Sequence, residues 1–117
     1  MLFRSVFLKN NINAKKHLNF CKKNNFQIEI NTVELQFDDT LFGSGDNGFL
    51  ISNNKIYWSN FTENPGELEL SKIEKITAED DSSFEITSNT GEQFSIKTTI
   101  IKKSILISSV LSACLNK

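Results

Sequence analysis

The sequence predicts an α+β chain that is mainly β: a bent antiparallel sheet, or partly open β-barrel, with an N-terminal helix and a C-terminal packing helix. Three observations predict it. Apolar and polar residues alternate through much of residues 26–99, the period of a strand buried on one face. Turn residues punctuate these runs at short intervals, as antiparallel meanders require. The flanking segments, 1–25 and 100–117, lose the alternation and take helical spacing instead. With 117 residues the chain reads as one domain, long enough to bury a core without metal or disulfide staples.

Each element follows in order. In NINAKKHLNFCKKNN, Ala14, Leu18 and Cys21 form a narrow apolar stripe at i, i+4, i+7, which predicts an exposed amphipathic helix. Next, FQIEINTVELQFDD alternates Phe26, Ile28, Ile30 and then Val33, Leu35, Phe37, with the phase slipping at Asn31-Thr32. A one-residue slip turns side chains to the opposite face, so a bulge or turn is expected there. GFLIS and KIYWSNF flank Asn53-Asn54, a pair tolerant of positive φ and suited to a tight hairpin. Pro65-Gly66 predicts a type II turn, and Gly91 repeats the idea. Leu68/Leu70, Phe84/Ile86 and Phe94/Ile96 then alternate with polar neighbours as strands buried on one face. The last segment carries Ile101, Ile105, Leu106, Val110, Leu111 and Cys114 on a broad stripe, after the plausible cap residues Thr98 and Thr99.

Net charge is −1, but it is unevenly spread. Residues 1–27 hold six basic residues and no acid, residues 28–96 hold all fourteen acids and three lysines, and residues 97–117 hold four lysines. The ends therefore either neutralise the middle within the fold, or leave an acidic face for a basic partner. Asn, Lys and Ile dominate the composition, the imprint of an AT-rich gene. The two cysteines, Cys21 and Cys114, make no disulfide framework and are expected as reduced, half-buried thiols. The opening MLFRSVFLKNN is too short for a secretory core or a membrane span, which gives the cytosol as the expected location.

GDNGFLISNNKIYWSNF, residues 45–61, followed by GELELSKIEKI, residues 66–76, resembles the core of bacterial pleckstrin-homology-like domains over roughly residues 37–99. There a glycine precedes an apolar strand, a hairpin leads to an aromatic strand, and a leucine-alternating strand ends in a corner. The resemblance implies a binding scaffold whose ligands vary widely. In lipid-binding members it implies basic residues along the first hairpin loop. This chain has DDTLFGSGDNG there, so that carry-over fails.

Catalytic and cofactor chemistry finds no footing. GSGDNG is followed by the strand Phe49-Leu50-Ile51, without the Lys-Ser/Thr of a phosphate loop, and Asp38, Asp39 and Asp46 oppose an anion nearby. Its glycines are expected to supply positive φ at a corner. His17, the single histidine, is expected as a solvated side chain in a lysine-rich helix. Adjacent acids such as Asp38-Asp39 and Glu79-Asp80-Asp81 do not converge as metal ligands do, and Trp58 alternates with Ile56 as a core residue. No catalytic, metal or cofactor residue is expected.

The reading that remains is a non-enzymatic protein-binding module with an acidic face made of Asp38, Asp39, Asp46, Glu67, Glu69, Glu79, Asp80 and Asp81. Its partner would be a basic protein. The sharpest version is an immunity protein that neutralises a basic nuclease toxin of a contact-dependent inhibition pair, with carboxylates replacing phosphates in the toxin's groove. The alternative is a pleckstrin-like membrane-surface, lipid-binding or regulatory adaptor domain, touching anionic headgroups through Lys15, Lys16, Lys22 and Lys23. Direct nucleic-acid binding is disfavoured because an acidic sheet repels phosphates, and the helix stripe is narrow for membrane binding.

Overall fold

The computed structural model describes residues 6–40, 43–60, 64–98 and 104–115, except the side chains of 110 and 113–115. Among the described residues eight antiparallel strands form two sheets. The first has the order β1 (Val6–Leu8), β2 (Val33–Asp38), β3 (Gly48–Ser52), β4 (Lys55–Ser59), β5 (Gly66–Glu69). The second runs β6 (Ile73–Thr77), β7 (Ser83–Ser88), β8 (Gln93–Lys97). Helix α1 (Ala14–Asn24) lies between β1 and β2 in sequence, and helix α2 (Ser104–Leu115) follows β8.

Alternation divides the first sheet's side chains between two cores. Phe37, Phe49, Ile51, Ile56 and Trp58 point to one side, where they meet Phe84, Ile86 and Ile96 of the second sheet and Leu111 of α2. The Phe49 and Phe84 rings join the two sheets edge to face, 5.8 Å apart. On the opposite face Val33 and Leu50 pack with Phe20 of α1, flanked by Phe26, Ile28 and Tyr57. Trp58 is a core residue, 4% exposed, as its alternation with Ile56 indicated.

The turns follow the local chemistry closely. Asn53 and Asn54 adopt φ of 52° and 64°, and Ser52 pairs with Lys55 across them, a tight hairpin of the expected kind. Gly91 takes φ +91° between β7 and β8. The slip at Asn31-Thr32 is absorbed by a one-turn 3-10 helix over Ile30–Thr32 and by a register shift between Val33 and Leu35. A second 3-10 turn, Leu70–Lys72, carries the chain from β5 in one sheet to β6 in the other.

Three expectations need correction. Residues 26–29 form no strand; instead the Ile28 carbonyl accepts from His17 and the Glu29 carbonyl from Thr32. The N-terminal segment is not wholly helical, since Val6, Phe7 and Leu8 pair with Phe37, Gln36 and Leu35. Gly66 is not at positive φ; it opens β5 opposite Trp58, and a Cβ there would sit 2.4 Å from the indole. The expected type II turn, which needs positive φ at Gly66, therefore does not form at Pro65-Gly66.

The helices also bury faces other than those the apolar stripes marked. Helix α1 buries His17 and Phe20 and leaves Leu18 62% exposed, because the surface beneath it is partly polar. The buried Gln36 amide clamps α1's first turn, accepting from Asn13 N (2.9 Å) and donating to Asn13 O (3.2 Å). Asn13 Oδ1 in turn caps Lys16 N at 3.0 Å. Helix α2 buries Ser104, Ser108 and Leu111, at i, i+4, i+7, and leaves Ile105 and Leu106 about half exposed. Thr98 is buried and donates to the Asp81 carbonyl (3.1 Å), with its hydroxyl also on Ser104 Oγ; Thr99, Ile101, and the side chains of Val110 and Cys114 lie outside the described residues.

Candidate functional site

The eight carboxylates expected on one acidic face occupy three separate places. Asp38 and Asp39 are interior, 1% and 2% exposed, and offer nothing to a partner. Asp38 Oδ2 pairs with Lys16 Nζ at 2.5 Å, while Oδ1 accepts from Thr40 N (2.9 Å) and Thr40 Oγ1 (2.5 Å). Asp46 is half buried and accepts from Ser44 Oγ at 2.8 Å. Around them the glycine-rich connection folds over α1: Ser44 O accepts from Asn19, and Asn47 Oδ1 from Lys23 Nζ (2.6 Å) and Ser59 Oγ (3.1 Å). Gly43, Gly45 and Gly48 all have positive φ, as a corner requires. The segment that looked like a phosphate loop is a polar seam that seats the helix.

Glu67 and Glu69 are exposed on the edge strand β5, next to cations of the same chain. Lys55 Nζ is 3.1 Å from Glu67 and Lys72 Nζ is 3.9 Å from Glu69. Glu67 also holds the Lys55 ammonium's pKa above its usual range, chiefly by the direct hydrogen bond. Exposed pairs of this kind contribute little to stability, but the two lysines offset the negative charge that β5 presents.

The third place is the connection between β6 and β7. Glu79, Asp80 and Asp81 are exposed there, and Glu85 projects outward from β7 opposite Thr77 and Ser95. Thr77, Glu79, Asp80, Ser83 and Glu85 line a hollow of about 210 Å³. Its backbone is pinned from two sides. Asp80 Oδ1 accepts from Ser82 N (2.8 Å), Thr98 N donates to Ser82 O (2.8 Å), and Ser104 N approaches Asp81 O at 3.4 Å. Among the described residues no cation comes within ion-pair distance of Glu79, Asp80, Asp81 or Glu85, although Lys75 and Lys97 lie on the neighbouring strands two residues from Thr77 and Ser95, which face Glu85. Glu85 was not singled out from the sequence; its outward position between the inward Phe84 and Ile86 is the signal that marks it.

The histidine is not the solvated side chain that was expected, whereas Cys21 is a free, half-buried thiol as expected. His17 is buried, 7% exposed, and its Nε2 lies 2.8 Å from the Ile28 carbonyl, so Nε2 carries the hydrogen. Cys21 Sγ is nearly equidistant from the two ring nitrogens, 3.7 Å and 4.0 Å. It therefore lies along the lone pair of neither, and the pair is packing, not a nucleophile with its base. Cys21 is half buried and free; burial pushes its thiol pKa up, partly offset by the Ile28 backbone N–H. With Cys114 replaced by serine, iodoacetamide should alkylate the native chain at pH 8 at least about tenfold more slowly than the urea-unfolded chain. Equal rates would mean that the thiol is not shielded.

Among the described residues no three His, Cys, Asp or Glu side chains are placed to hold a metal ion, and no helix is long and apolar enough to cross a membrane. Compared with known proteins, the chain matches no family model, no curated protein and no solved structure.

Proposed function

We propose that this chain is a non-enzymatic binding module that meets a basic protein through its β6–β7 connection. The observation that carries the reading is the grouping of Glu79, Asp80, Asp81 and Glu85 on a backbone-pinned corner, without an ion-pair partner among the described residues. Such a corner attracts a cationic surface over a Debye length and contacts it without first being ordered. The sharpest version is an immunity protein of a bacterial contact-dependent inhibition pair, acting in the cytoplasm. It would seat carboxylates where a nuclease toxin otherwise takes phosphates. A pleckstrin-like architecture is consistent with the four-strand meander β2–β5, the three strands β6–β8 and the C-terminal α2, with β1 and α1 as additions.

The test is binding to a basic nuclease encoded beside the gene. Wild-type chain should form a complex and block cleavage, with an association rate that falls as salt rises. A variant with Glu79→Gln, Asp80→Asn, Asp81→Asn and Glu85→Gln should lose about 100-fold in affinity while unfolding at the same urea midpoint. Undiminished binding by that variant rejects the acidic corner, and absence of any complex with the neighbouring nucleases rejects the immunity reading. One observation favours the membrane alternative: Leu18 stands exposed between Lys15 and Lys22 on α1. Co-sedimentation with phosphatidylglycerol vesicles at physiological salt, abolished by Leu18→Glu, would move the conclusion there.

A further inference from the structure

A second hollow adjoins the acidic corner and shares one residue with it. Trp58, Asn64, Glu85, Gln93, Phe94 and Ser95 line a space of about 380 Å³ beside β8, and Glu85 also lines the hollow at the β6–β7 connection. Strand pairing and the packing of the two sheets bring this wall together. Glu85 faces Ser95 across β7 and β8, and the Trp58 and Phe94 rings meet at 5.0 Å between the sheets. Among the described residues β8 is an edge of its sheet, and Asn60, just after β4, fastens it there: the amide donates to the Ser95 carbonyl (2.8 Å) and accepts from Lys97 N (3.2 Å). We propose that this second hollow holds one arginine side chain of the protein's partner, with its guanidinium on the Glu85 carboxylate.

The wall sets the chemistry of the occupant. Asn64, Glu85 and Gln93 are exposed, and their side chains make no hydrogen bond or ion pair among the described residues. An ionised carboxylate only accepts, and each amide adds a carbonyl acceptor. Beside these acceptors lie aromatic carbons of Trp58 and Phe94. A guanidinium suits that combination, because it is planar, donates through a fork that matches a carboxylate, and stacks on rings at little cost in hydration. An ammonium is a strongly hydrated point charge and leaves water less readily for an aromatic wall. At roughly 30 Å³ for each water-sized group, the hollow has room for about a dozen, enough for one arginine side chain with its backbone.

Charge separates arginine from other occupants. Glu79 and Asp80 line the adjoining hollow, so an anion is repelled from Glu85 and a neutral sugar gains nothing from the field. Lys75 of β6 and Lys97 of β8, the lysines on the strands beside β7, line neither hollow and form no ion pair with Glu85. The inference rests on the proposed basic partner only for the source of the arginine. Within that reading the roles divide: Glu79, Asp80 and Asp81 attract at a distance, and Glu85 selects the side chain that enters.

Trp58 is the single tryptophan, so its fluorescence reports on the hollow. The experiment titrates the full chain with acetyl-Gly-Arg-Gly-amide and with the same peptide carrying lysine or citrulline, which keeps arginine's shape without its charge. The arginine peptide should change the emission saturably at millimolar concentration, with the lysine peptide at least about fivefold weaker and the citrulline peptide at least about tenfold weaker. Glu85→Gln, at an exposed position, should weaken the arginine peptide about tenfold or more at an unchanged urea midpoint, and Gln93→Ala should weaken it less. Neutralising Glu79, Asp80 and Asp81 together, with Glu85 kept, should weaken it no more than about threefold at physiological salt. Absence of a saturable response, equal affinity for the lysine or citrulline peptide, or undiminished binding by Glu85→Gln overturns the inference. A response to glucose in place of arginine also overturns it and assigns the hollow to a neutral sugar. A nuclease complex formed by a chain that ignores the arginine peptide defeats this inference alone, whereas an arginine response in a chain that binds no neighbouring nuclease defeats the immunity reading alone.

Discussion

Replacing Lys16 with methionine should destabilise the fold by about 3 kcal/mol, read as a lower urea midpoint at constant slope. The side chain keeps most of its volume and loses its charge, so the measurement isolates the fate of Asp38. That carboxylate is 1% exposed, and Lys16 supplies the contact to Oδ2 at 2.5 Å. Without it, Oδ2 loses its ion-pair partner and the charge is left with Thr40's two donors on Oδ1. An uncompensated buried charge costs far more than the pair itself contributes, because both ions were desolvated on folding. Lys16 also places its ammonium 5.4 Å from the centre of the Phe7 ring, and so ties β1 to the same point.

The companion variants decide whether the pair acts as a unit. Asp38→Asn keeps the Thr40 acceptor and removes the charge, and the double variant should be more stable than the sum of the two losses implies, by at least about 1.5 kcal/mol. A Lys16→Met chain within about 0.5 kcal/mol of wild type would mean that water reaches Asp38, and that the seam between α1 and residues 38–48 is looser than its distances indicate.

The same seam explains what could and could not be read from the sequence. Strand identity, the Asn53-Asn54 hairpin and the Trp58 core position were legible, because each depends on neighbours within a few residues. The interior place of Asp38 was not. It depends on Lys16, 22 residues away, and a buried carboxylate looks like any other until its counter-ion is located. Alternation in Phe26, Ile28 and Ile30 reported a correct inward side for the first two but could not report that no strand lies beside them. On α1 the apolar stripe misled because the buried face is built from His17, Phe20 and polar side chains that meet polar partners. The candidate corner was half legible. Glu79, Asp80 and Asp81 stood out as a run, whereas Glu85 joins them only once β6 and β7 are paired.

Gly48→Ala should be at least as damaging as Lys16→Met, about 3 kcal/mol or more, and it tests the corner from the backbone side. Gly48 has φ +134°, and an added Cβ would fall 2.0 Å from the Phe37 carbonyl oxygen and 3.1 Å from Asp39 N. Neither atom belongs to a flexible side chain. Phe37 is held in β2, and Gly48 itself pairs with both Asp38 and Ser59, so relief requires breaking ladder contacts on one side or the other. Gly91→Ala is the matched control: φ there is +91°, but an added Cβ meets nothing within 4 Å. It should cost only the conformational strain, about 1 kcal/mol. The difference between the two variants measures the clash together with the extra strain of φ +134° over +91°. If Gly48→Ala unfolds at the Gly91→Ala midpoint, β2 and β3 can separate at this end without penalty, and the corner does not hold α1 against the sheet as its hydrogen bonds indicate.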